Sequence, residues 1–339
     1  MSMIRQVIRG VLVVVAVAGF IGTLLAFDYR NWSQTALHGA DTPHTLQVPS
    51  GSTVHDIQRQ LEEDGLLDRP IYLRLHARLS GHAQRLQSGE YRIPAGMTPP
   101  QLLEHIARGR VVQHRFTIIE GWTFQQLRAA LEANPRILDT LGDKSDEAVM
   151  AELGKPDQHP EGWFYPETYN YTRGTSDMEL LKRAHRAMKR RLSAAWEARS
   201  DDLPLADAYE ALVLASIIER ETGAPEERRK VAGVFTRRLQ EGMRLQTDPT
   251  VIYGMGNDFD GRIRTQDLRT DTPYNTYTRH GLPPTPIAMP SGASLRAAVD
   301  PEPGEAMYFV SRGDGTHVFS ETLDEHNRAV RRYILGMEE

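Results

Sequence analysis

Glu221 is a carboxylate at a position where the helical pattern of the chain calls for an apolar side chain. It follows the apolar run at residues 212–218, LVLASII. At ~100° per residue, Leu214, Ile217 and Ile218 share one helical stripe with Glu221. Among apolar neighbours the neutral form of a carboxyl group is favoured and its pKa rises. Such a group can deliver a proton near neutral pH, so the pattern predicts that Glu221 is a general acid.

A structural interpretation of Glu221 stays open at this point. Glu221 lies near the predicted helix end, where its carboxylate could reach solvent or pair with Arg220 or Arg228. The neighbouring acid, Glu219, projects ~160° away on the helix and is poorly placed to be a second catalytic carboxylate beside Glu221.

Composition and motifs exclude several other chemistries. The chain of 339 residues contains no cysteine, which removes thiol nucleophiles and cysteine metal sites, and its net charge of −5 gives no support for nucleic acid as a partner. No Gly-x-Ser-x-Gly, His-Glu-x-x-His, P-loop or Gly-x-Gly-x-x-Gly pattern occurs, and the 12 histidines show no metal-ligand spacing. We therefore expect carboxylate chemistry without a metal or other cofactor.

Polar and aromatic residues cluster in the sequence after Glu221. Tyrosine rings stack on the apolar faces of sugars, while amides and carboxylates bond to hydroxyl and acetamido groups. The alternative is that the tyrosines pin loops and that Asp248-Pro249 is a plain turn. The clustering favours a glycan-binding cleft formed by Gln246, Asp248, Tyr253, Tyr274, Asn275 and Tyr277.

The N-terminus predicts a membrane anchor. Residues 10–27 form an 18-residue stretch without a charged side chain, which as a helix would span about 27 Å of a ~30 Å hydrocarbon core. Arg5 and Arg9 precede it, so residues 1–9 are expected in the cytoplasm and the rest outside, in the periplasm. A cleaved signal peptide is the competing interpretation. Because the apolar run continues to Phe27, we favour an uncleaved single-pass helix followed by a polar tether at residues 28–44.

A strand, a glycine turn, a threonine N-cap and an amphipathic helix occur together three times, with the caps at Thr53, Thr98 and Thr123. The first two units predict a small β/α binding module at residues 45–113, and residues 114–339 are assigned to a catalytic domain. The expected fold class is α+β.

The catalytic domain is expected to contain mostly helices. Residues 140–160 predict a surface excursion. Helices are expected at residues 176–199, up to Glu221, and from Glu226 to Gly242, and the first of these has a basic outer face that we interpret as solvated. Near the C-terminus the pattern predicts a β-hairpin at residues 307–320 and a helix at residues 323–335.

Several ordered motifs resemble the endolytic murein transglycosylases, the MltG or YceG-like family. The resemblance runs in order along the chain and is strongest over residues 161–290. Its long central match makes it more specific than a short motif. The matching text is EGWF at 161–164 with Pro166 and Thr168, ASIIERET at 215–222, GMRLQTDPTVIYGMG at 242–256, YNTY at 274–277 and GLPP at 281–284.

The resemblance implies a bacterial inner-membrane lyase with a LysM-like module before its catalytic domain. It implies cleavage of peptidoglycan strands between N-acetylmuramic acid and N-acetylglucosamine to leave 1,6-anhydro ends, which would terminate chain elongation. Peptidoglycan synthases are expected partners. The family's catalytic glutamate falls on Glu221, and the predicted substrate-binding residues are Glu161, Phe164, Glu219, Gln246, Asp248, Tyr253, Tyr274, Asn275 and Tyr277.

Two other functions remain open from the sequence. One is a membrane-anchored glycan-binding scaffold that recruits cell-wall synthases and does no chemistry. The other is a glycoside hydrolase whose second carboxylate is Asp248 or Glu161.

Overall fold

The computed structural model describes residues 2–38 and 43–337. The chain divides into two compact units, the first comprising residues 1–114 with 172–174 and the second residues 115–171 with 175–339. The sequence predicts that the catalytic domain begins at residue 114, one residue before the second unit begins. Helices and short two-stranded sheets alternate in both units, so the fold is mixed α+β, as predicted.

The chain begins with the long helix α1, Ser2–Gln34, which is long and apolar enough to cross a membrane. Its apolar side chains over residues 4–27 are exposed. The predicted tether is wrong for residues 28–34, which continue the helix because Trp32 packs into the core of the first unit. Residues 39–42 of that tether lie outside the described residues.

The first unit consists of the C-terminal part of α1, two strands and three further α-helices. Strands β1 and β2 pair antiparallel, with Leu46 opposite Tyr91, and both side chains are fully buried. The predicted caps Thr53 and Thr98 each form a capping box. The elements are β1 His44–Val48, α2 Val54–Glu63, α3 Pro70–Leu79, a 3₁₀ turn His82–Gln84, β2 Gly89–Ile93 and α4 Pro99–Ala107.

The second unit is dominated by helices around one core. Its first element, β3 His114–Thr117, begins with the last residue of the first unit. The elements that follow in chain order are α5 Phe124–Glu132, α6 Asp146–Glu152, β4 Thr168–Tyr171, α7 Asp177–Glu197, α8 Ala208–Glu221, α9 Arg228–Gln240, α10 Asp248–Met255, a 3₁₀ turn Gly256–Asp258, α11 Thr265–Arg269, α12 Gly292–Val299, β5 Tyr308–Ser311, β6 His317–Ser320 and α13 Leu323–Tyr333. Strand β3 pairs with β4, and β5 pairs with β6.

Helix α8 lies at the centre of the second unit and determines where Glu221 is held. It contacts α7, α9, α10 and α12. All its residues from Ala211 to Ile218 are buried, so the helix is enclosed on every side instead of burying a single stripe. The last turn of α8 therefore leaves the core with Glu219 and Glu221 still partly buried, whereas Arg220 is exposed.

Two predictions about the second unit have different outcomes. The hairpin near the C-terminus is confirmed, with Phe309 opposite Phe319 in an antiparallel pair. The surface excursion at residues 140–160 is wrong for α6, which Ser145 caps and whose Val149 and Met150 are fully buried. The polar residues and glycines around Val149 and Met150 gave no sign that these two side chains are buried.

Replacement of Met150 by alanine tests the packing of α6. Because Met150 is fully buried in the core of the second unit, Met150→Ala should destabilise the protein by roughly 2–5 kcal/mol. Thermal unfolding of the detergent-solubilised chain measures the loss. The matched control is Glu147→Ala on the exposed face of the same helix, and equal melting temperatures for the two variants would show that α6 is not packed.

Candidate active site

Glu221 occupies the last turn of α8 and is half-buried. The helix ends there because Thr222 takes an extended conformation. The Thr247 hydroxyl donates a hydrogen bond of 2.5 Å to Glu221 Oε2. Burial raises the pKa of Glu221, and the nearby Asp248 charge raises it further. The Thr247 hydrogen bond and the positive charges of His317 and Arg238 act in the opposite direction.

The segment that carries Thr247 is held in a strained conformation. Gln246 has a φ of 52°, in the left-handed region that a non-glycine residue rarely adopts. Backbone N–H groups of Gln246 and Thr247 donate to Thr276, at 3.2 and 3.1 Å. The buried guanidinium of Arg238 donates to the Leu245 carbonyl at 2.9 Å. Strain of this kind costs about 1–3 kcal/mol and is typical of functional sites.

Asp248 and Tyr277 form a second polar pair beside Glu221. The Tyr277 hydroxyl donates to Asp248 Oδ1 at 2.5 Å. Burial raises the pKa of the Tyr277 phenol, and its hydrogen bond to the Asp248 carboxylate adds to the rise. Asp248 and Gln246 are exposed and Tyr277 is partly so, which leaves all three accessible next to the candidate acid. We call Glu221, Thr247, Asp248 and Tyr277 the Glu221 cluster.

Asn275 holds the loop that carries Tyr277. It is 1% exposed, and its Nδ2 lies within hydrogen-bond distance of the carbonyls of Asp267, Leu268 and Thr270. Its Oδ1 accepts the backbone N–H of Tyr277 at 2.8 Å. The amide predicted to bind substrate is therefore used inside the protein, where it positions Tyr277.

A second buried carboxylic acid, Glu161, lies in a separate cluster with Tyr253 and Tyr274. Glu161 is 2% exposed, accepts the Phe124 N–H at 3.0 Å and accepts the Tyr253 hydroxyl at 3.0 Å. Burial raises its pKa to about 7. The Tyr253 and Tyr274 rings meet edge to face at 4.9 Å, and the Tyr274 hydroxyl lies 3.0 Å from Thr285 Oγ1. Helix α10 joins the two clusters, since it begins at Asp248 and carries Tyr253.

Two predicted substrate-binding residues have other contacts. Glu219 Oε2 accepts hydrogen bonds from the Ser291 N–H at 2.8 Å and the Ser294 hydroxyl at 2.7 Å, so its carboxylate caps the N-terminus of α12. Phe164 is fully buried and stacks on Phe124 at 5.2 Å, which makes it a core residue without access to a substrate. Both residues lie outside the Glu221 cluster.

Sequence reasoning missed Thr247, Thr276 and Arg238 as site residues. A threonine before Asp248-Pro249 resembles a helix cap, and an arginine three residues after Phe235 gives no signal of burial. Among residues 2–38 and 43–337, no group of three or more His, Asp and Glu side chains could hold a metal ion.

Another missed feature is the hydrogen-bonded pair formed by Glu227 and His317. The pair is largely buried, with 2.7 Å between Glu227 Oε2 and His317 Nδ1. The backbone N–H of His317 also donates to Glu227 Oε1 at 3.0 Å. These contacts attach the start of β6 to the N-terminus of α9 and place the imidazole within electrostatic range of Glu221.

Comparisons with known proteins find a matching family model and relatives that share one description. Residues 46–332 match the model of the YceG-like family. The chain is 31% identical to an endolytic murein transglycosylase of Bacillus subtilis over 317 residues, which cover 88% of this chain and 87% of the relative. It is 25% identical to an endolytic murein transglycosylase of Streptococcus pneumoniae, of which the match covers 58%.

A solved structure agrees with this family match. The chain is similar to the crystal structure of a protein from Listeria monocytogenes described as yceG-like, with a TM-score of 0.54 and 28% sequence identity. The likeness covers 85% of this chain and 99% of that one.

The Glu161 carboxyl should make stability depend on pH. Its folded pKa of about 7 exceeds the ordinary value of 4.5, so the unfolded chain releases this proton first. The associated stability is fully present below pH 4.5 and is lost as pH rises through about 7. In Glu161→Gln this loss should disappear. Thermal unfolding of both proteins across this pH range measures it, and parallel pH profiles would contradict the assignment.

Proposed function

The chain belongs to the YceG-like family, and we propose that it is an endolytic murein transglycosylase whose acid is Glu221. The observation that carries this proposal is the half-buried Glu221 carboxyl, whose pKa is raised by burial and which accepts the Thr247 hydroxyl. The similarity to a murein transglycosylase over 88% of the chain supports peptidoglycan as the substrate.

The proposed reaction uses Glu221 twice. The protonated carboxyl donates its proton to the glycosidic oxygen as the bond between C1 of N-acetylmuramic acid and that oxygen breaks. The resulting carboxylate then accepts the proton of the muramoyl C6 hydroxyl as that oxygen attacks C1. The products are a free N-acetylglucosamine hydroxyl and a 1,6-anhydro end, and no water is consumed. Glu221 returns to its protonated form.

One carboxylate suffices for this reaction because the nucleophile belongs to the substrate. Glycoside hydrolases use two carboxyl groups, about 5–5.5 Å or 6.5–9.5 Å apart, to form an adduct or activate water. Glu161 is 2% exposed and accepts the Phe124 N–H. Because its carboxylate is buried and already hydrogen-bonded, Glu161 is poorly suited to activate a water molecule as a general base. Asp248 is exposed and lies near Glu221, so hydrolysis with Asp248 as base is the second candidate function.

The accessible residues around Glu221 are proposed to bind the glycan. The exposed Gln246 and Asp248 and the partly exposed Tyr277 suit hydroxyl and acetamido groups and an apolar sugar face. The partly exposed Tyr253 and Tyr274 rings in the neighbouring cluster extend this set.

Helix α1 is proposed to anchor the chain in the bacterial inner membrane. Its apolar side chains over residues 4–27 are exposed, an arrangement that water disfavours and lipid favours. The arginines before the span favour a cytoplasmic N-terminus and a periplasmic catalytic domain. Residues 45–113 are proposed to be a LysM-like module, and synthases are proposed as partners in ending glycan elongation.

Replacement of the acid tests the reaction directly. Glu221→Gln should lower the rate at which glycan strands are cut by roughly 10²–10⁴-fold, because glutamine cannot donate the proton. The measurement is mass spectrometry of products from uncrosslinked strands, in which hydrolysis would add ~18 Da and intramolecular transfer would not.

The control for this experiment is Glu226→Gln, since Glu226 is an exposed acid shortly after the end of α8. Glu221→Gln should keep its melting temperature. Wild-type rates in Glu221→Gln would refute Glu221 as the acid, and products heavier by one water would favour the hydrolase. If wild-type protein leaves strand lengths unchanged, the scaffold function is supported.

The Thr247 hydroxyl should set the pH range of activity. Removal of this donor in Thr247→Val destabilises the charged form of Glu221 and raises its pKa further. The general acid works only while protonated, so activity is lost as pH rises through that pKa. The alkaline limb of the kcat/KM profile should therefore move to higher pH. Thr247→Ser, which keeps a hydroxyl, should leave the limb in place, and a shift to lower pH in Thr247→Val would contradict the argument.

A further inference from the structure

Helix α3 of the first unit carries an exposed apolar stripe. Ile71, Leu75 and Leu79 are spaced by four residues and therefore lie on one face of the helix. They are 62%, 44% and 72% exposed. A run of three large aliphatic side chains on an otherwise polar surface indicates contact with an apolar partner.

This stripe is distinct from the face that packs into the first unit. Leu73 and Ala77 point to the opposite side of α3 and are fully buried. The exposed side chains of Arg74 and Arg78 lie beside the stripe. The helix thus has a core face, an exposed apolar stripe and an adjacent basic edge.

The other side of the stripe contacts the end of α1. The Tyr72 hydroxyl donates to Asp28 at 2.8 Å, and the Tyr29 hydroxyl lies 2.6 Å from His76 Nδ1. Arg69 forms an ion pair with Asp28. These contacts hold α3 against the part of α1 that directly follows Phe27, the last residue of the uncharged stretch.

The contacts place α3 at the end of the proposed span. Asp28 contacts Tyr72, Tyr29 contacts His76, and Trp32 contacts the ring of Tyr72 at 5.6 Å. The Trp32 Nε1 also donates to the Asp68 carbonyl, just before α3, at 3.1 Å. If α1 spans a bilayer, α3 therefore lies where the chain leaves the hydrocarbon core, at the depth of the lipid headgroups.

We propose that α3 rests on the membrane, with Ile71, Leu75 and Leu79 inserted at the boundary between lipid headgroups and acyl chains. Arg74 and Arg78 then face anionic headgroups, as in amphipathic helices that bind membrane surfaces. This inference rests on the proposed insertion of α1. It gives the first unit a fixed position on the bilayer.

The chain contains no cysteine, so single cysteines can be introduced and labelled without removing native thiols. A nitrobenzoxadiazole fluorophore is attached in turn at Ile71, Leu75 and Leu79 of the full chain in phosphatidylglycerol-containing vesicles with headgroup-proximal nitroxide lipids. Glu63, exposed on α2, is the water-facing control, and Val14 in α1 reports insertion of the anchor itself.

The expected result is blue-shifted emission and nitroxide quenching at all three α3 positions, with neither at Glu63. Water-like emission at α3 together with a quenched label at Val14 would overturn the proposal while the anchor stands. Blue-shifted emission without nitroxide quenching would also overturn it, because a protein partner or second copy would then cover the stripe.

A second experiment tests the basic edge formed by Arg74 and Arg78. Replacement of both Arg74 and Arg78 by glutamine should reduce quenching of the Leu75 label in anionic vesicles. Unchanged quenching would overturn the role assigned to the two arginines. Activity on glycan strands, measured separately, decides the proposed catalytic function independently of these results.

Discussion

The withdrawal of the Glu221 carboxyl from water is the constraint on which the proposed chemistry depends. Helix α8 is enclosed by four other helices up to its last turn, so Glu221 emerges among protein atoms. Burial and the Asp248 charge favour the protonated form, whereas the Thr247 hydroxyl, His317 and Arg238 favour the charged form. Such a balance suits a group that must give a proton and then take one back.

The donor to Glu221 is held by a network that reaches well beyond the site. Arg238 on α9 holds the carbonyl of Leu245, and Thr276 accepts the backbone N–H groups of Gln246 and Thr247. These contacts offset the strained φ of Gln246. A rigid helical core thus positions a short loop segment with the accuracy that a catalytic hydrogen bond requires.

Local patterns predicted the helix caps, the C-terminal hairpin and the placement of Glu221 on α8, because each depends on neighbouring residues. The helical stripe separated Glu221 from Glu219 by direction but not by burial, since α8 is buried all round and the Glu219 side chain is only 6% exposed. The two acids differ in their contacts with residues distant in sequence: Glu221 accepts the Thr247 hydroxyl, whereas Glu219 accepts the Ser291 N–H. Phe164 was placed at the site by the family resemblance, which does not reveal that its side chain is fully buried.

The most direct test of the proposed acid is a measurement of the protonation state of Glu221 itself. Difference infrared spectroscopy of wild type against Glu221→Gln isolates the C=O stretch of this one carboxylic acid during a pH titration. Because burial raises the pKa of Glu221 above its ordinary value of 4.5, we expect the protonated band to persist above pH 4.5. Ionisation of Glu221 at or below pH 4.5 would contradict this assignment.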